Sequence, residues 1–210
     1  MKSSLAVGVL IIAFSLNSYS QQTDSSSIAP VNRETQHLYK IKPWIDVPAT
    51  LVFGAAAVYG MSVIYGRKEI PADVVMALDK NTINKLDRPI AENYSLGAKA
   101  TSDYFFYGSM PLPLLLLFDK KIRKDGARVG LLYLEALGVT GIFYAGSAML
   151  VNRYRPYTYN PNVPIATRQN GNSRNSFIAG HPALVATSTF FMAKIYSDYH
   201  PNMKDRKSVV

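Results

Sequence analysis

From Val47 to Gly66 the chain runs for twenty residues without a charge, between Asp46 and Arg67. As a helix at about 1.5 Å per residue, that stretch is about 30 Å long, the thickness of a bilayer's hydrocarbon core. Trp44, Tyr59 and Tyr65 are placed to anchor such a span at the interfaces. Gly54-Ala55-Ala56-Ala57 suits close helix packing, in lipid or in a buried soluble helix alike. Val129 to Val151 repeats the pattern, with Glu135 as its one charge and glycines at 130, 138, 141 and 146 that favour tight packing. Glu135, about five turns before Arg155, must face a bundle interior rather than lipid. Tyr104 to Phe118 is uncharged and rich in aromatic residues and leucine, and Pro111 and Pro113 are expected to kink it. Pro182 to Ala193 reads as one more helix of moderate length. With no alternating strand runs, the fold class is all-α: a membrane-associated bundle of about four long helices.

The segments between these runs are polar. Lys2, the apolar run Leu5 to Leu16 and Ser18-Tyr19-Ser20 read as a signal peptide over residues 1–20, with an uncleaved anchor as the alternative. Residues 21–44 form a polar lead-in, 45–201 the helical domain and 202–210 a charged tail. Between Arg67 and Asp103 the pattern is amphipathic and loop-like, with a helix start at Ile70-Pro71 and turns around Asp79 and Asp87, both read as solvated helix ends. Asp119 to Arg128 is a basic connector, suited to phospholipid headgroups or to a solvated turn. The expected location is outside the cytoplasm, at a bacterial inner membrane or in the periplasm. If three segments each cross once from an exported N-terminus, the Arg155 end falls on the cytoplasmic side. Otherwise the 104–118 run does not cross fully, or the whole bundle rests in the periplasm.

Charge narrows the partners. The formal net charge is +9, from 23 basic and 14 acidic residues, which favours anions such as phosphate esters and membrane lipids. Nucleic acid is not expected, because the basic residues are scattered and no groove-reading motif occurs. There is no cysteine, so disulfides and thiolate metal sites are excluded. Three histidines, far apart in sequence, give no metal-ligand pattern, and no cofactor is implied.

The chemistry concentrates between Val151 and Pro182. Arg153 and Arg155 stand where one apolar run ends, and Gly180-His181 where the next begins, which points to a shared pocket at one end of a helix pair. A guanidinium offers phosphate oxygens a planar, permanently charged fork. Gly180 lets a backbone N–H approach an anion at a helix start, and His181 can pass a proton to a leaving oxygen near neutral pH. Each feature alone also fits a charged helix end or an ordinary hydrogen-bonding histidine.

Together, Arg155-Pro156 and Gly180-His181 resemble the first two signatures of the type 2 phosphatidic acid phosphatase and vanadium haloperoxidase superfamily. Ser102 to Gly108 adds to the likeness, which covers about residues 45 to 200. The resemblance implies hydrolysis of phosphate monoesters or lipid phosphates through a phosphohistidine, with Arg155, Arg153 and Gly180 on the phosphate and His181 catalytic. This chain departs from the pattern at several positions. Ala148 stands where the family has its first lysine, and Ile178-Ala179 where it has Pro-Ser. The third signature, which carries the nucleophilic histidine, its aspartate and a further arginine, is missing. Ser173-Arg174 imitates only its opening, and the 29 residues after His181 contain one histidine, His200. His37, in the polar lead-in, and His200, near the exposed tail, are out of place for a nucleophile. A bundle of this kind needs further helices to close, so the sequence reads as C-terminally incomplete or as a degenerate paralogue. The expectation is a weak or inactive phosphatase-like protein. The alternative is a non-catalytic membrane-associated helical protein that binds phosphate-like anions or lipid headgroups.

Overall fold

Two prolines and an aspartate start the first long helix of the computed structural model, which describes residues 37–201. The expected signal peptide, most of the expected lead-in and the charged tail lie outside the described residues. Helix α1, Pro43–Tyr65, opens with Pro43 in its first turn, where a missing N–H costs nothing. The Asp46 carboxylate accepts from the Lys42 amide at 2.5 Å. Four long helices follow the order α1, α3 (Leu96–Ser109), α5 (Gly126–Val151) and α7 (Gly180–Tyr199). Short helices α2 (Ala72–Met76), α4 (Lys120–Arg123) and α6 (Ile165–Gln169), with several 3-10 turns, fill the connections. Among the described residues there is no strand.

The pairing of α1 with α5 is built on missing side chains. A Cβ at Gly60 would lie 2.6 Å from Ala145 Cβ, and one at Gly141 would lie 2.7 Å from Ala57 Cβ. Neither fits, so the backbones approach as only glycine permits. Gly138 meets Phe53 in the same way, at 3.0 Å. The partners 53, 57 and 60 pair with 138, 141 and 145, rising together in number, so the two helices run parallel. Gly130 and Gly146, expected to belong to the same packing face, have no atom within 4 Å of a Cβ and play no part in it. Ile64, Tyr144, Ala145 and Ala148 form the buried centre of this contact.

α7 returns antiparallel to α5. Tyr133 bonds Ser188 at 2.8 Å, Thr140 bonds Thr187 at 2.8 Å, and Gly180 lies against Tyr144. α3 descends beside α7, and Tyr133 donates to the Met110 carbonyl at 2.8 Å. The four long helices therefore alternate in direction, with one pole at the C-terminal ends of α1 and α5. The opposite pole holds a second apolar cluster of Leu116, Ile122, Val129 and Ile195.

The 67–103 region differs from its loop-like reading. Ser95 Oγ accepts from the Ala98 amide at 3.2 Å and starts α3 at Leu96, eight residues before the apolar run that marked this helix in the sequence. Pro111 and Pro113 do not kink one helix: α3 ends at Ser109, and Leu112–Phe118 continues as a 3-10 helix. Proline has no N–H to give to an α-helical hydrogen bond, and its ring crowds the preceding turn. Two helices, α1 and the one beginning at Gly126, are long and apolar enough to cross a membrane. α3 is shorter than that.

Candidate functional site

Arg155, Gly180 and His181 meet at one pole of the bundle. They line a cavity of about 640 Å³ together with Tyr65, Asp103 and Tyr144. Four elements build it: the end of α1, the first turns of α3 and α7, and the segment that follows α5.

Helix α5 has to stop abruptly to deliver Arg155. Asn152 closes it in the left-handed conformation, at φ 45° and ψ 43°, which a short polar side chain tolerates better than most. Arg67 then satisfies the helix end: Nη2 donates to the Ala148 carbonyl at 2.8 Å, and Nη1 reaches Asn175 Oδ1 at 2.9 Å. Burial holds the Arg67 pKa below its ordinary value, with Arg174 adding to the effect. Beyond Asn152 the chain is extended. The Arg155 amide donates to the Ser173 carbonyl at 2.7 Å, and the Ser176 amide donates to the Arg153 carbonyl at 3.2 Å. Ser173-Arg174, the decoy of the third signature, is thus the rail that holds Arg155 in place.

Strict alternation along an extended segment would put residues 153 and 155 on one side, yet the two arginines part company here, Arg153 being drawn to Asp87. Arg155 enters the main cavity. Arg153, expected to bind phosphate beside it, instead pairs with Asp87 and lines a separate cavity of about 330 Å³ with Tyr154 and Tyr159. Asp87 is accordingly a partnered carboxylate and not a solvated helix end.

Gly180 has a packing reason to be glycine. A Cβ there would come within 2.9 Å of Tyr144 Cε2, so the Tyr144 ring lies flat against the start of α7. The Tyr144 phenol hydrogen-bonds Tyr65 and the Arg155 guanidinium. No side chain caps α7, and its first two residues, Gly180 and His181, line the cavity at the positive end of a 20-residue helix.

His181 is not alone. Its Nε2 lies 3.2 Å from Asp103 Oδ1, and Lys99 donates to Asp103 Oδ2 at 3.0 Å. Lys99 lines the cavity as well. The Lys99 hydrogen bond, aided by His181, holds the Asp103 carboxyl below the usual carboxylate range. The imidazole and the Phe106 ring meet in a T-shaped contact, with a centroid separation of 4.4 Å and an interplanar angle of 73°. Ala148, the position of the family's lysine, is buried against α1 with 1% of its surface exposed.

The other two histidines stand at the opposite pole. His37 pairs with Asp125, and His200 Nε2 lies 2.9 Å from Asp119 Oδ2. Neither reaches the cavity. Among the described residues, no three of His, Cys, Asp or Glu gather in a way that could hold a metal ion. The arrangement can therefore neutralise an anion between Arg155, Lys99 and the α7 amides, with an imidazole beside it. Sequence reasoning missed Lys99, Asp103 and Tyr144. The first two had a signal, because Ser95 followed by Lys99 and Asp103 at i,i+4 spacing marks a capped helix start with an ion pair. No family model matches the chain, and neither a curated protein nor a solved structure matches it.

Proposed function

We propose that this chain is a degenerate relative of the type 2 phosphatidic acid phosphatases, a membrane-associated helical bundle. On this reading it binds the phosphate group of a phosphate monoester or lipid phosphate and turns it over slowly or not at all. One observation carries the reading: Arg155, Gly180 and His181, set apart by 25 residues of sequence, share one cavity. In that cavity the Arg155 fork takes two phosphate oxygens, the Gly180 amide at the start of α7 donates to a third, and His181 stands ready to protonate a leaving oxygen.

Low turnover follows from the histidines. A phosphohistidine route needs one imidazole to attack phosphorus and another group to protonate the leaving oxygen. The cavity holds a single imidazole, since His37 and His200 are engaged on Asp125 and Asp119. Membrane association is supported by the two apolar helices and by exposed outward-facing residues such as Leu51, Val52 and Leu150, with Trp44, 94% exposed, at the start of α1.

The test is inorganic phosphate binding to the full chain in detergent micelles, alongside hydrolysis of a chromogenic phosphate monoester, for wild type, Arg155→Ala and His181→Ala. Millimolar binding that is lost in Arg155→Ala, with little turnover, is expected. Robust turnover abolished by His181→Ala would replace slow binding with catalysis. Equal phosphate binding by wild type and Arg155→Ala would end the reading altogether.

A further inference from the structure

Helix α3 carries neither of the two signatures, yet it brings the acid nearest to His181. We infer that Asp103 is a positioning residue, which acts on a bound phosphate group only through the His181 imidazole. The inference rests on the phosphate-binding reading above.

The geometry gives Asp103 two faces. Oδ2 accepts from Lys99 at 3.0 Å, and Oδ1 faces His181 Nε2 at 3.2 Å. With an ionised carboxylate beside Nε2, the proton of a neutral ring resides there, and Nδ1 carries a proton of its own when the ring is doubly protonated. The contact with Asp103 is made by Nε2, and Nδ1 has no hydrogen-bond partner among the described residues. The Phe106 ring, steeply inclined to the imidazole at a centroid separation of 4.4 Å, limits its rotation about χ2. Pairing with Asp103 thus fixes the ring plane and makes Nδ1–H the donor available to an anion held by Arg155.

Lys99 keeps the arrangement from defeating itself. A bare carboxylate on the cavity wall would repel phosphate, whereas the Lys99–Asp103 pair adds no net charge. The titratable groups that share the cavity with His181 are Tyr65 from α1, Lys99, Asp103 and Tyr107 from α3, Tyr144 from α5, and Arg155 and Tyr157 from the segment after it. Asp103 is the one among them that carries negative charge at neutral pH.

A double-mutant cycle separates this role from simple packing. Inorganic phosphate binding is measured on the full chain in micelles for wild type, Asp103→Asn, His181→Gln and the double variant. Asp103→Asn also frees Lys99 for the anion, alike in both backgrounds, so the cycle reads the difference: affinity is expected to fall about three- to tenfold further with His181 present than once His181 is glutamine. Nitrogen-15 spectra of the three histidine rings give a second readout: Asp103→Asn moves the Nε2 signal of His181 and leaves those of His37 and His200 in place. Equal losses in both backgrounds, or an unmoved His181 signal, would overturn the inference while leaving the phosphate reading intact. If wild type and Arg155→Ala bind phosphate equally, both fall.

Discussion

The two poles of the bundle use the same chemical pair, a histidine against an aspartate, for different ends. At the far pole Asp125 is 5% exposed, and its oxygens are fully engaged. Tyr199 donates to Oδ2 at 2.6 Å, Arg128 donates to Oδ1 at 2.9 Å, and His37 also pairs with Oδ1. His200 on Asp119 and Tyr39 on Asp198 tie the start and end of the described chain to the same pole. At the cavity pole the His181 side chain is 41% exposed, and Arg155 spends its guanidinium on a single phenol. A closed network adds stability because every buried polar group is satisfied. An open one adds little and leaves donors for a ligand. The comparison therefore assigns stability to one pole, and the proposed binding belongs to the other.

The largest effect should come from breaking the closed pole. Asp125→Ala removes a buried acceptor from three donors and should cost about 3 kcal/mol in denaturant unfolding, with phosphate affinity unchanged. A loss of affinity there would merge the two poles. Next comes the helix contact that joins them. Gly141→Ala drives a methyl into Ala57 and should destabilise by about 1–3 kcal/mol, whereas Gly146→Ala, with open space around it, should stabilise by about 0.5 kcal/mol. Unfolding midpoints that shift alike for the two would remove the close approach of α1 and α5. At the open pole, Arg155→Ala should lower phosphate affinity at least tenfold but shift stability by less than about 1 kcal/mol, as read by the same titrations.

Acid gives the smallest and most selective contrast. Burial pushes the Asp125 pKa up, but hydrogen bonds from Tyr199, His37 and Arg128 outweigh it and leave the carboxyl below the ordinary range. A depressed folded pKa gives stability that is complete above the unfolded pKa of about 3.9 and is lost as pH falls through the folded value. Wild type should therefore lose more stability between pH 6 and pH 3 than Asp125→Asn does. Asp103→Asn, at the exposed pole, should leave that acid dependence nearly as it is in wild type.

How far these poles could be read in advance differs residue by residue. Uncharged length announced α1 and α5, and punctuation by Arg155-Pro156 and Gly180-His181 announced three groups of the cavity. Arg153 went astray because its direction depends on an extended segment held by Ser173 and Ser176, a pairing that no local spacing encodes. Tyr144 is one of 14 tyrosines, sits inside an apolar run and carries no mark of its contact with Gly180. His37 and His200 looked stranded in polar tails, since their aspartates lie more than eighty residues away along the chain. Burial arises from such long-range partners, and composition near a residue does not reveal it.

The parallel course of α1 and α5 makes the molecule vectorial. Two crossing helices that point the same way force the sixty residues between them to travel back, and α3 with its 3-10 extension is the return path. A bilayer that takes in both helices must show Arg67 and Arg155 to one compartment and Lys42 and Lys121 to the other. The cavity then opens on the face opposite the start of α1, whichever compartment that face borders. An impermeant amine reagent applied from one side would modify Lys68 or Lys121, and never both.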